Sequence, residues 1–227
     1  MTTRIPGQKT IVYPETDGRP LPDGEYQAPL YVEIVGVLRT HFSNRPEVHV
    51  NGNTMLYYEE GNPRRVISPD CYAAFDVDVE RIYRNNAYLL WEMGKPPDFV
   101  LEIGSPSTAR NDMGPKRDLY ARLGVGEYWR FDGAGHDFYR EPLVGEYLED
   151  GEYRRFELRR EPDGMVWGRS PALNLDLCWV EGRLRCYNPA TDTWLLNQQE
   201  EQEARQAAEA RVSELEAELR LLRGEPT

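Results

Sequence analysis

The segment Pro97-Asp98-Phe99-Val100-Leu101-Glu102-Ile103 constrains this chain more than any other. Strand alternation puts Phe99, Leu101 and Ile103 on one face, with Asp98, Val100 and Glu102 on the other. An acid therefore stands in mid-strand among apolar neighbours. Downstream, Met113 to Leu123 reads as a helix that Gly124 stops, and Glu127 to Phe131 reads as a further strand. Strand, helix, strand at this length predicts a right-handed crossover between parallel strands, the unit of an α/β fold.

The helix bears on the acid. At ~100° per residue, Met113, Leu119, Tyr120 and Leu123 define its apolar stripe, Lys116 falls at the centre of that stripe and Arg117 lies at its edge. A buried ammonium without a counter-charge is costly, so Lys116 either reaches solvent or meets a carboxylate, and Glu102 is the nearest candidate. A structural salt bridge and a catalytic pair both remain open on these residues alone. A metal site needs a second acid, and Asp98 is four strand residues from Glu102, ~13 Å away. The two cannot share one ion, whose ligands lie ~2.1 Å from Mg²⁺. The second acid has to come from a neighbouring strand, and Ser68-Pro69-Asp70-Cys71-Tyr72-Ala73-Ala74-Phe75 offers Asp70 at the start of an apolar run. Asp70, Glu102 and Lys116 form the candidate site.

Elsewhere the chain reads as three regions. Residues 1–29 are proline-rich with Asp-Gly turns and predict an extended arm; 30–196 predict the main α/β domain with a β-rich extension; 197–227 predict a charged helical tail. Leu30 to Phe42 has helical spacing and carries Glu33. Val48–Val50, Met55–Tyr58, Val66–Ile67 and Tyr72–Val77 read as a meander of short strands. After Asp132-Gly133, strands are expected at Asp137–Arg140, Gly145–Leu148 and Tyr153–Arg159, with Asp150-Gly151 as a hairpin turn. Short strands continue through 165–195. In the tail, Arg205, Val212 and Leu219 form one heptad position and Ala208, Leu215 and Leu222 the other, which predicts a short coiled coil or a docked helix.

The resemblance that gathers these residues is to the Uma-type, restriction-endonuclease-like family of the PD-(D/E)XK nuclease superfamily. It is carried by Pro69-Asp70, by Pro97 to Ile103, by Ser105-Pro106-Ser107-Thr108, by Asp112, Lys116 and Tyr120, and by Gly124-Val125 with Glu127-Tyr128-Trp129 and Asp132. The resemblance implies a mixed central sheet flanked by helices, with Asp70 and Glu102 as Mg²⁺ ligands (Mn²⁺ as a substitute) and Lys116 orienting or activating the attacking water. It implies an endonuclease hydrolysing DNA phosphodiester bonds. Glu33 and Asp98 are auxiliary acids on this reading. The usual superfamily lysine stands two residues after the acid, where this chain has Gly104, and Lys116 is the migrated counterpart. The alternative is a catalytically inactive nuclease-fold protein that uses its coiled coil for assembly or binds nucleic acid.

Composition narrows the classes further. The net charge of -12 disfavours long basic tracks for nucleic acid, although Arg64, Arg65, Arg81, Arg84, Arg110, Lys116 and Arg117 surround the acids in sequence and offer a local basic cleft. Three cysteines without a CxxC pair and three histidines without zinc spacing predict reduced thiols and no zinc centre. Cys71 has no histidine partner and reads as a buried thiol, and Ser105 and Ser107 as strand-end and helix-cap residues. No stretch reaches membrane-span length, so a cytoplasmic protein without a membrane partner is expected, with a homodimer through the C-terminal helix.

Overall fold

A computed structural model describes residues 2–3, 11–12 and 27–223. Two short strands, β1 (Thr2–Thr3) and β2 (Ile11–Val12), precede helix α1 (Gln27–His41). Strands β3 (His49–Asn51), β4 (Leu56–Tyr57), β5 (Val66–Ile67) and β6 (Cys71–Ala74) follow, then α2 (Val79–Asn85), β7 (Tyr88–Leu89) and α3 (Leu90–Met93). The centre of the chain is β8 (Phe99–Ile103), α4 (Ala109–Met113), α5 (Pro115–Leu123) and β9 (Glu127–Phe131). Strands β10 (Leu143–Glu149) to β16 come next: β11 (Glu152–Arg155), β12 (Arg159–Arg160), β13 (Val166–Ser170), β14 (Leu175–Val180), β15 (Arg183–Asn188) and β16 (Thr193–Trp194). Helix α6 (Gln198–Arg223) ends the described chain.

The central sheet has six strands in the order β11-β10-β9-β8-β6-β3. Strands β8 and β9 pair in parallel and the other neighbours are antiparallel, which makes the sheet mixed. Both central strands are buried at every position, as parallel strands covered on both faces should be. One face carries Cys71, Ala73, Phe99, Leu101, Ile103, Trp129 and Phe131 against α1 and a second, five-stranded sheet, β12-β13-β14-β15-β16. The opposite face carries Tyr72, Ala74, Val100 and Tyr128 against Tyr120 of α5, Ile82 of α2 and Tyr88. Mixed sheet and flanking helices agree with the expected α/β class.

Several local details differ from the sequence reading. The meander is absent: β3 pairs with β6 in the central sheet, while β4 leaves it to pair with β5 and, in parallel, with β7. Asn53 N–H donates to the Pro69 carbonyl at 2.9 Å, closing the base of this excursion. Residues 137–140 are a turn, because the Asp132 carboxylate accepts from the amides of Ala134, Phe138 and Tyr139 and leaves them no ladder to join. The single predicted helix 113–123 is broken at Gly114 into α4 and α5, which throws Met113 out of phase and exposes it. Helix α1 begins at Gln27, with Pro29 in the first turn where its missing N–H costs nothing. The rest of the expected arm lies outside the described residues, apart from β1 and β2. The Asp150-Gly151 turn forms as read, both residues having positive φ.

The chain divides into two units, Met1–Leu195 and Leu196–Thr227. In the second, α6 opens with a reciprocal cap: Asn197 Oδ1 accepts from the Glu200 amide and Glu200 Oε2 from the Asn197 amide, both at 2.9 Å. Val212, Leu215 and Leu219 of its apolar stripe are exposed.

The central sheet and the five-stranded sheet are tied by one buried carboxylate. Glu127 on β9 accepts from Trp129 Nε1 at 2.9 Å, from Ser170 Oγ at 2.6 Å and from the Ala172 amide at 2.6 Å. Glu127→Ala strands three donors, two of them buried, and it is expected to cost about 2–4 kcal/mol, read as a lowered urea midpoint with an unchanged slope.

Candidate active site

Strand register brings the two acids of the candidate site together. Cys71 pairs with Leu101 and Tyr72 with Val100, so Asp70, just before β6, stands opposite Glu102 on the same face of the sheet. Asp70 Oδ2 accepts the amide of Ile103 at 2.7 Å. Helix α5 lies over this face. Its Lys116 and Tyr120, one turn apart, take the two oxygens of one carboxylate: Lys116 Nζ donates to Glu102 Oε2 at 2.6 Å and Tyr120 O–H to Oε1 at 2.8 Å. Glu102 is 1% exposed and the Lys116 side chain 13%. Pro115 in the first turn and Gly124 in the left-handed conformation after the last bound a helix just long enough to present both groups.

The charges around this pair do not balance. Asp112 of α4, also 1% exposed, is the third carboxylate, with Oδ1 at 3.8 Å from Lys116 Nζ. Burial pushes the Glu102 carboxyl well above the usual carboxylate range; Lys116 pulls it back, and Asp70 and Asp112 push it further up. Asp112 is likewise raised by burial, against Lys116 and the hydroxyls of Tyr139 and Thr108. Burial draws the Lys116 ammonium down, but Glu102, Asp70 and Asp112 outweigh it and hold its proton more tightly than in water. Three carboxylates around one ammonium leave surplus negative charge, which a proton or a metal cation relieves.

A second ion cluster lies on the same sheet face. Glu146 of β10 meets Arg117 at 2.8 Å and Arg130 of β9 at 2.7 Å. Burial raises Glu146, yet the two guanidiniums overcome it and its carboxyl ends below the ordinary range. Here two cations share one acid, the reverse of the balance at Glu102. Asp112, Tyr120 and Asp132 were visible in the sequence as motif residues without roles. Arg130 and Glu146 carried no local signal, since only the pairing of β8, β9 and β10 aligns them, and Tyr139 carried none because it is placed by the turn that Asp132 holds.

The auxiliary acids are placed elsewhere. Glu33 of α1 meets Arg183 of β15 at 3.5 Å, and α1 packs on the face opposite Glu102. Asp98 staples the start of β8, accepting from Lys95 Nζ at 2.7 Å and from the Phe75 amide at 2.8 Å. Neither joins the Asp70–Glu102–Lys116 group. Of the basic residues near the acids in sequence, Arg65 pairs with Glu59, Arg81 with Glu92 and Arg117 with Glu146. Arg64, Arg84 and Arg110 are exposed. Cys71 is fully buried and its thiol is raised by that burial, so it is no nucleophile. Ser105 Oγ accepts the Thr108 amide at 3.2 Å at the entrance to α4.

With this geometry in view, the family comparison is decisive: residues 17–220 match the family described as "Uma2: Putative restriction endonuclease". The chain belongs to this family. Among curated proteins none matches the chain. Among solved structures, it is similar to one described as a "putative nuclease belonging to DUF820 from Anabaena variabilis ATCC 29413". That likeness has 18% identity and a TM-score of 0.46, covering 70% of this chain and 81% of the other.

Within the Uma2 family frame, the position two residues after the acid is Gly104, and its surroundings explain why no lysine stands there. A Cβ at Gly104 would lie 2.9 Å from Tyr139 Cε2 and 3.0 Å from Phe138 Cβ. The turn that Asp132 holds therefore fills the space of a strand-borne side chain, while α5 delivers the ammonium from above. Gly104→Ala is expected to cost about 1–3 kcal/mol through overpacking, measured by chemical denaturation, and an unchanged midpoint would remove this account.

Proposed function

We propose that this chain is a Mg²⁺-dependent endonuclease that hydrolyses DNA phosphodiester bonds, with Asp70 and Glu102 holding the ion and Lys116 acting on the attacking water. The observation that carries the reading is the buried Lys116–Glu102 contact opposite Asp70. The donor set suits such an ion: Mg²⁺ commonly takes one or two protein carboxylates and keeps its remaining positions for water and phosphate. Among the described residues no group of three or more acidic, histidine or cysteine side chains is placed to hold one ion. Held there, Mg²⁺ or Mn²⁺ supplies polarisation of the scissile phosphate and a lowered pKa of bound water.

The chain's own groups have distinct tasks. Tyr120 fixes the Glu102 carboxylate through Oε1, and the Ile103 amide fixes Asp70 through Oδ2, so both acids are pre-oriented. Lys116 presents an ammonium that offsets negative charge growing on the phosphate oxygens and orients the water by hydrogen bonding. The tyrosine-rich core beneath excludes bulk solvent from this end of the sheet and strengthens each of these contacts.

Cleavage of supercoiled and linear DNA in Mg²⁺ or Mn²⁺ tests the reading. Glu102→Gln and Lys116→Met are each expected to lower the rate by about 100-fold or more, with the metal-free native chain equally silent. Cleavage that survives both substitutions would place the activity elsewhere.

A second reading is an inactive nuclease-fold protein acting in assembly. It is favoured by one observation, that Glu102 already has both oxygens bonded, as a structural pair would. In either case we propose that the exposed Val212, Leu215 and Leu219 of α6 form the seam of a homodimer. Removing residues 197–227 is then expected to halve the mass measured by light scattering, whereas a monomeric full-length chain would rule the seam out.

A further inference from the structure

The contact that marks the site is also an obstacle to it. Lys116 Nζ sits 2.6 Å from Glu102 Oε2, and a divalent cation seeking the same carboxylate competes for its lone pairs and repels the ammonium. If Lys116 had no other acceptor, cation binding would leave a buried ammonium unpaired.

Asp112 supplies that acceptor. Its Oδ1 is buried and accepts no hydrogen bond, a rare state for a buried carboxylate oxygen. The rest of the residue is fixed: Tyr139 O–H donates to Oδ2 at 2.8 Å and Tyr128 O–H to the Asp112 carbonyl at 2.8 Å. Oδ1 is therefore held 3.8 Å from Lys116 Nζ, beyond hydrogen-bond length by a distance that rotation of one lysine torsion spans. Asp112 and Lys116 stand four residues apart across the break at Gly114, Asp112 in α4 and Lys116 in α5.

We propose that Asp112 is a positioning residue that receives the Lys116 ammonium when a divalent cation occupies Glu102. This rests on the metal-dependent reading of the site and adds to it a change of partner. The lysine is parked on Glu102 in the metal-free protein and moves to Asp112 in the loaded one. It then stands beside the ion, still buried and still charged, as the reaction requires. The exchange also gives a use to a second buried carboxylate beside Glu102.

The test is a double-mutant cycle on Mn²⁺ affinity, read by the electron paramagnetic resonance of free Mn²⁺ with no DNA present. Asp112→Asn keeps the shape of the side chain and is expected to weaken Mn²⁺ binding by about 10- to 100-fold. In the Lys116→Met background the same substitution is expected to change affinity by less than about twofold, because no ammonium then needs a second partner. Equal weakening in both backgrounds would make Asp112 a cation ligand or a bare charge and overturn the exchange, as would no weakening in the Lys116⁺ background. In the native chain, the Lys116 ¹⁵Nζ resonance is expected to shift on Mg²⁺ addition while remaining slow to exchange with water, and its loss to rapid exchange would show expulsion into solvent instead. A native chain that binds no Mn²⁺ would sink the metal-dependent reading itself, an outcome separate from failure of the exchange alone.

Discussion

The ion pair between Glu102 and Lys116 sets the geometry of everything around it. Removing a carboxylate and an ammonium from water costs several kcal/mol each, so the fold tolerates the pair only by holding it at 2.6 Å with Tyr120 on the other oxygen. Because Lys116 and Tyr120 reach the same carboxylate from successive turns, the rotation of α5 about its axis is determined. That rotation turns Leu119 and Leu123 only partly inward and directs Arg117 sideways to Glu146. The crossover from β8 through α5 to β9 is thus tied by a polar contact at its centre, with apolar packing filling in on either side.

The sheet face beneath α5 carries two centres with opposite electrostatic character. Glu102 and Arg130 are register partners on parallel strands, and Val144 next to them on β10 leads on to Glu146. At Glu146 two guanidiniums surround one acid and pull its carboxyl below the usual range. At Glu102 one ammonium faces three acids and the carboxyl is pushed above that range, chiefly by burial. Environments that drive like groups apart in this way distinguish a closed structural pair from a site with work left to do. The Arg117–Glu146–Arg130 cluster carries a surplus of positive charge, and its contacts tie α5 to β9 and β10 beside the neighbouring site.

Much of this was legible in the sequence, and the parts that were not share a cause. Strands β8 and β9 are long, apolar and bounded by clear breaks, so their limits and their parallel crossover followed from local pattern alone. Lys116 was legible because a lysine on an apolar stripe is anomalous. The break at Gly114 was not, since one glycine in a helical pattern is ordinarily tolerated, and the exposure of Met113 followed from it. Residues 137–140 look like a strand until the Asp132 carboxylate, five or more residues upstream, takes the amides a ladder would have used. The small sheet of β4, β5 and β7 needs a parallel pairing across more than thirty residues of chain, which no short window contains. Arg130 and Glu146 sat in ordinary strand positions, and only register made them neighbours.

A domain selected for stability alone would not keep this arrangement. Replacing a buried ion pair with apolar residues of similar volume is often neutral or stabilising, and a surplus buried carboxylate is costlier still. The chain as a whole carries -12, so more negative charge on the face of its central sheet also works against contact with a polyanion. Both costs disappear if the surplus is what recruits a cation, because the bound ion inverts the sign of the site where the phosphate must come. The unbonded Oδ1 of Asp112 fits the same logic: a buried carboxylate oxygen without a hydrogen bond costs stability, and a cation that displaces the Lys116 ammonium toward it would give that cost a use.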